Sequence, residues 1–274
     1  MNVSYLEALA AIALSLAILM AIAWMVQQRS GNSGWVDTIW TFSVGLVGAS
    51  SAVWPIGGDA PTARQWLVAA LALTWSLRLG LHIAARTVHI SDDPRYAAFA
   101  SEWGGDAPRR MFIFLQNQAL GSIPLAFAIF VAARFPQAGW RMADVIGALI
   151  LIAGISGEAL ADAQLRQFRR DAGNKGRVCD VGLWRWSRHP NYFFEWFCWL
   201  AYPVIAVPLF DPMQYPWGFA SLLAPLLMYW FLVHVTGIPP LEAQMLASRG
   251  ERYRAYQLRT SAFLPLPPRQ GGAG

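Results

Sequence analysis

Seven runs of apolar residues alternate with short polar gaps along the chain, at roughly 5–26, 35–54, 65–86, 111–133, 142–161, 192–210 and 216–236. Each is long enough for a helix to cross about 30 Å of hydrocarbon. A chain in that solvent must satisfy its own backbone polar groups, which helices do within one segment. The pattern therefore predicts an all-α, polytopic integral membrane protein of about seven transmembrane helices, with 1–274 a single membrane domain. Pro203, Pro208, Pro212 and Pro216 interrupt the last two runs. The first run, Leu6 to Val26, follows an uncharged leader without an evident cleavage site, and it reads as a span rather than a signal peptide.

Composition agrees with the pattern: 56% of residues are hydrophobic and 14% charged. Lys175 is the sole lysine, so nearly all positive charge is planar guanidinium, suited to carboxylates and phosphates. Alternating the spans puts Arg29, Arg95, Arg109, Arg110, the cluster from Arg166 to Arg188 and the C-terminal arginines on one side. The other side receives Arg64, Arg134 and Arg141. Under the positive-inside rule the crowded side is cytoplasmic, so the N-terminus is outside and the C-terminus inside. The net charge of +5 thus reads as membrane orientation, not nucleic-acid binding. Cys179 lies in a polar segment and Cys198 in an apolar run, which supports neither a disulfide framework nor a thiolate metal cluster; no metal site is expected.

Polar residues inside or beside the spans are the candidates for chemistry. Asp37 stands near the start of the second run, and an intramembrane carboxylate is costly enough to mark a functional position. Capping a helix or pairing with an arginine would equally account for it. In the third run Trp75, Arg78 and His82 share one helix face by their three- and four-residue spacing. Arg78 needs a partner, which Asp37 or a ligand would supply. The loop after it predicts a short amphipathic helix over 94–103, ended by Gly104 and Gly105. Gln116, Asn117 and Gln118 cannot all face lipid, and Gln116 or Asn117 is a candidate polar contact for a substrate. Glu158, Asp162 and Arg166 repeat every four residues at the end of the fifth run, followed by Arg169 and Arg170.

The segment from Arg177 to Glu195, RVCDVGLWRWSRHPNYFFE, is dense in arginine and aromatic residues and leads directly into the sixth run. Arg185, Arg188 and His189 precede Pro190, and Asn191 and Glu195 fall on one face of the emerging helix, with Tyr192 beside them. A helix N-terminus with arginines and a histidine suits a pyrophosphate or a carboxylate-bearing ligand. No GxGxxG follows a strand, so a Rossmann domain is not the device. In the tail, His234 and Glu242 flank a Gly–Pro break, and Arg252, Tyr253, Tyr256 and Arg259 lie on a short helix.

SGEALADAQLRQFR, NKGRVCDVGLWRWSRHPNYFFEW, GIPPLE and RYRAYQLRTSAFLPLPP together resemble the bacterial integral-membrane branch of the steroid 5-alpha-reductase family. They also resemble the C-terminal domains of sterol reductases and, more distantly, isoprenylcysteine carboxyl methyltransferases. The match covers about 150–267, and the first four runs match in layout alone. The resemblance implies substrate-side helices over 1–135 and an NADPH-binding half over 142–267, cofactor side facing the cytoplasm of a bacterial inner membrane. The implied reaction is NADPH-dependent reduction of the carbon–carbon double bond of a steroid-like 3-oxo-4-ene or related lipid enone. Implied cofactor residues are Glu158, Asp162, Arg166, Arg169, Lys175, Arg177, Trp184, Arg188, His189, Asn191, Tyr192, Glu195, Glu242, Arg252, Tyr253 and Tyr256.

The family's substrate dyad, a Glu and a Tyr, has no secure match here; Asp37 and Trp75 occupy roughly comparable places. Asp37, Trp75, Arg78 and Gln116 are accordingly the catalytic-end candidates. The expected partners are a hydrophobic enone and membrane lipids, with no nucleic acid and no obligate protein partner. An S-adenosylmethionine-dependent methyltransferase and a non-enzymatic transporter or scaffold are the alternatives.

Overall fold

The computed structural model describes residues 3–55 and 59–269. Its helices are α1 (Val3–Ser30), α2 (Gly34–Val53), α3 (Ala63–Thr87), α4 (Pro94–Trp103), α5 (Ala107–Ala133), α6 (Met142–Arg170), α7 (Pro190–Trp199), α8 (Ala201–Ala206), α9 (Leu223–Trp230), α10 (Ile238–Arg249) and α11 (Glu251–Arg259). There is no strand among the described residues beyond one isolated parallel bridge, Ser187 to Ser261. The protein is an all-helical polytopic membrane protein.

Among the described residues, six single helical stretches are long and apolar enough to cross a membrane. The run at 192–210 is not among them, because no single helix covers it: it is divided into α7, of 10 residues, and α8, of 6. Pro203 supplies the reason. It has no N–H to give the carbonyl four residues back, at Trp199, and that is where α7 stops. The run at 216–236 instead extends further than expected: a 3₁₀ turn over Pro216–Leu222, α9, a π-helical turn over Phe231–Val235 and α10 follow one another from 216 to 249.

The chain divides into two compact units, Met1–Gly147 with Tyr202–Ala224, and Ala148–Ala201 with Pro225–Gly274. The first boundary falls inside α6, a few residues after its start.

In the first unit, α2 is the central element, packed on α1, α3 and α5. Its small residues permit this. A Cβ added at Gly45 would come within 2.1 Å of the Ser76 Cβ on α3, and one at Gly48 within 2.4 Å of Ile129 on α5. Across the α2–α3 seam, a Cβ at Gly80 would meet the Phe42 ring at 2.6 Å. Close backbone approach through small residues is what holds helices together where lipid removes the hydrophobic incentive. Gly45→Val should therefore overpack the seam and lower stability by about 1–3 kcal/mol or more. Thermal unfolding in detergent checks this, and an unchanged midpoint beside the exposed control Leu46→Ala would contradict the seam.

Arg64, Arg134 and Arg141, the three arginines on the sparse side of the charge count, are all absorbed by the first unit. Asp144, fully buried, receives Arg64 Nε at 3.1 Å and Arg141 Nη2 at 2.7 Å. Arg64 also donates to the carbonyls of Phe135, Gln137 and Gly139, which pins the loop between α5 and α6. Arg141 lies 3.5 Å over the Phe135 ring. Arg134 closes the C-terminal end of α2, donating to the carbonyls of Ser51, Ala52 and Trp54.

Candidate functional site

Two polar constellations stand out, one in each unit. In the first unit, Asp37 on the first turn of α2 accepts from Arg95 Nη2 at 2.5 Å and from the Tyr96 hydroxyl at 2.8 Å. Both donors come from α4. Asp93 at the start of α4 binds the same arginine and caps the helix through the Arg95 N–H, so Arg95 is clamped between two carboxylates. Asp93 itself is held below the ordinary carboxylate range: burial opposes ionisation, but the hydrogen bond and charge of Arg95 outweigh it. Tyr96, 3% exposed, also receives a hydrogen bond from Gln118 Nε2 of α5 at 3.1 Å. The result is a buried tyrosine whose hydroxyl is positioned from two sides, by an acceptor on α2 and a donor on α5.

The partner of Asp37 is thus Arg95, 58 residues on, where the sequence reading offered Arg78 of α3. The chain turns back after α3 through Asp92, whose carboxylate takes the Ser33 N–H at the start of α2 at 2.8 Å, and this brings α4 to the foot of α2. Of the other catalytic-end candidates, Trp75 is buried on α3 with its ring edge-on to Trp40, and Arg78 is half-buried on the same helix. Gln116 donates to the Ala17 carbonyl at 3.3 Å and ties α5 to α1. Gln118, two residues on, is the glutamine that reaches the Asp37 cluster. Sequence reasoning missed Tyr96 and Gln118 as site residues. The amphipathic 94–103 helix was the available signal, since an aromatic hydroxyl on its apolar face needs a buried partner.

In the second unit the hub is Glu242 on α10. Its Oε1 accepts from Arg188 Nε at 2.6 Å, His189 Nε2 at 3.0 Å and the Tyr253 hydroxyl at 3.3 Å, and its Oε2 accepts from Gln257 at 2.8 Å. Arg188 reaches further, to the carbonyls of Gln257 and Thr260 that end α11. Tyr256 closes on the turn before α7, its hydroxyl donating to the Trp184 carbonyl, while Trp184 Nε1 donates to the Ala161 carbonyl of α6 at 2.9 Å. Ser187 and Arg188 then bond along the chain at Ser261 and Phe263. The segment that the sequence reading singled out is in this way bolted to α6, α10 and the C-terminal tail.

Burial decides the protonation states here. It pushes the His189 imidazole below its ordinary value, against the pull of Glu242, so the ring is neutral at pH 7. Facing an ionised carboxylate, Nε2 carries the proton, which leaves Nδ1 as a buried acceptor without a hydrogen-bond partner among the described residues. Burial raises Tyr253 and Tyr256, the first further through the adjacent Glu242 charge. It also raises Cys179, a free thiol, and so makes it a poor nucleophile.

The predicted cofactor residues therefore separate into two sets. Trp184, Arg188, His189, Glu242, Tyr253 and Tyr256 bond to one another or to backbone and form the framework. Arg166, Arg169, Lys175, Arg177 and Arg252 are exposed, with Arg252 leaning on the Gly176 carbonyl. Between the sets, Glu158 and Asp162 are buried on α6, and Glu195 is buried on α7 where it accepts from Trp199 Nε1 at 3.0 Å. Asn191 lies half-buried on the first turn of α7, and Tyr192 stacks on His189 at 5.6 Å.

A helical membrane protein with a charged hub of this kind is the class that fold and site define. A family model described as a protein of unknown function, DUF1295, matches residues 23–260, and the chain belongs to that family. The match takes in most of the first unit as well as the second, more than the 150–267 segment on which the resemblance rested. No curated protein and no solved structure matches the chain.

Proposed function

We propose that this protein reduces the carbon–carbon double bond of a steroid-like 3-oxo-4-ene or related lipid enone with NADPH. We place it in the bacterial inner membrane, N-terminus outside, with the cofactor side toward the cytoplasm. The observation that carries the reading is the distribution of charge. The second unit holds 12 basic and 7 acidic residues and the first unit 9 of each, so the whole net charge of +5 falls on the unit that contains the Glu242 hub. An anionic dinucleotide suits such a surface, and guanidinium groups bind phosphate oxygens in pairs.

The donor set fits the cofactor. Exposed Arg166, Arg169, Lys175, Arg177 and Arg252 would hold phosphates, and Asn191 and Glu195 would orient the nicotinamide side. When bound, NADPH supplies the reducing equivalent, while the protein supplies orientation and electrostatics. At the substrate end, the Tyr96 hydroxyl is the group best prepared to polarise a carbonyl. Its hydrogen, turned from Asp37 to the incoming oxygen, would stabilise the negative charge that develops there, while Asp37 keeps its hydrogen bond from Arg95. This assigns Tyr96 with Asp37 to the polar end in place of Trp75.

Thermal unfolding in detergent tests the cofactor. NADPH at 100 times its Kd should stabilise the protein by about 2.7 kcal/mol, more than NADH or S-adenosylmethionine does, and Arg169→Ala should weaken the effect. Stabilisation by S-adenosylmethionine alone would overturn the reading in favour of a methyltransferase.

A further inference from the structure

The end of the first unit away from Asp37 holds two cavities. One, of about 390 Å³, is an apolar crevice between α1 and α2, walled by Ala11, Ile18, Leu46 and Phe130. The other, of about 410 Å³, lies among the starts of α3 and the loop after α5, and it presents Arg134, Asp59, Thr62 and Gln65. Each alone is within the ~300–1,000 Å³ range of small-molecule sites. Trp54 lines both. Arg134 sits at their junction: its guanidinium is 4.4 Å over the Phe130 ring of the crevice and bonds the Ser51 and Trp54 carbonyls.

We infer that these neighbouring cavities bind one membrane glycerophospholipid with a primary-amine zwitterionic headgroup, acyl chain in the crevice and headgroup in the polar cavity. An apolar slot beside a polar chamber, the two sharing Trp54 in their walls, matches an amphiphile, not a uniformly greasy ligand. The chamber also carries both signs of charge. Arg64 is matched by Asp144, but no carboxylate among the described residues pairs with Arg134, whose guanidinium bonds the neutral carbonyls of Ser51, Ala52 and Trp54. Asp59 is exposed in the same chamber. A phosphodiester complements Arg134 and an ammonium complements Asp59, whereas a purely anionic headgroup meets Asp59 with like charge. Trp54 and Trp140, both exposed at 54% and 60%, stand at the rim where indoles favour the headgroup level. This site is independent of the proposed reaction.

The test uses the full chain, purified in mild detergent and stripped of lipid, with added phosphatidylethanolamine, phosphatidylcholine or phosphatidylglycerol. Native mass spectrometry should show one retained ethanolamine lipid, and that lipid should raise the unfolding temperature more than the other two. The choline lipid keeps the charge but loses the N–H donors. Ala11→Trp, which fills the crevice, should abolish the shift, and Asp59→Asn should bring the ethanolamine and glycerol lipids level. Ser50→Trp blocks the same crevice should Ala11→Trp fail to elute as a folded species. Equal or greater stabilisation by phosphatidylglycerol or phosphatidylcholine in the unmodified protein, or an undiminished shift in a blocked variant, overturns the site.

Discussion

Glu242→Ala is expected to destabilise the protein by about 3–5 kcal/mol, the cost of leaving a buried ion-pair partner uncompensated. The side chains concerned are only 10% and 15% exposed, so water replaces the lost bonds only in part. Four donors converge on that one carboxylate, and through Arg188 the loss passes to the carbonyls that end α11. Nucleotide-dependent stabilisation should fall with it, because the framework that holds the segment before α7 is loosened. Removing both partners is expected to be milder: Arg188→Leu with Glu242→Leu should lose less than the sum of the single changes, since no uncompensated charge of the pair then remains. Unfolding midpoints in detergent for the two single variants and the double variant measure this. Strictly additive losses would mean that Glu242 is not the hub.

Tyr96→Phe is expected to lower turnover of a 3-oxo-4-ene substrate by ~10²–10³-fold, the usual effect of losing one donor to a developing oxyanion. The fold should survive, because the ring keeps its edge contact with Phe114 and Asp37 keeps Arg95. Gln116→Ala serves as the contrast: it removes a tie between α1 and α5 and should leave the rate near that of the unmodified protein. NADPH oxidation, with mass detection of a two-hydrogen gain in the product, reads both. Wild-type turnover in Tyr96→Phe would remove the hydroxyl from the mechanism.

The contrast between Tyr96 and Trp75 shows what kind of information the linear pattern carries. Residues on one helix are related by its 3.6-residue repeat, so the Glu158, Asp162 and Arg166 ladder and the Trp75, Arg78 and His82 face were readable directly. The Asp37–Arg95 pair was not. It depends on how the chain turns after α3 and on which side α4 is set down, and no periodicity encodes that. The same limit applies to α11. The short helix itself was legible, but not that Tyr253 and Tyr256 lie buried in the hub while Arg252 and Arg254 remain exposed.

The sparse side of the charge count makes a related point. Counting arginines was enough to separate a crowded side from a poor one, because that count depends only on the order of spans and gaps. It could not say that Arg64 and Arg141 share Asp144, or that Arg134 closes α2.

By itself, the sequence determined the helical membrane class, the positions of the first five long spans, the short helix over 94–103, and the Arg- and aromatic-rich segment before α7 as a focus of polar contacts. Hydropathy and helical repeat are local properties, and they survive being read one residue at a time. Only the tertiary structure decided that one apolar run is split at Pro203, that Glu242 gathers Arg188, His189, Tyr253 and Gln257, and that Tyr96 stands against Asp37. Each of these depends on which helices come within hydrogen-bond reach. In this chain that is set by small residues at the seams, such as Gly45 against Ser76, and by where the loops return the chain.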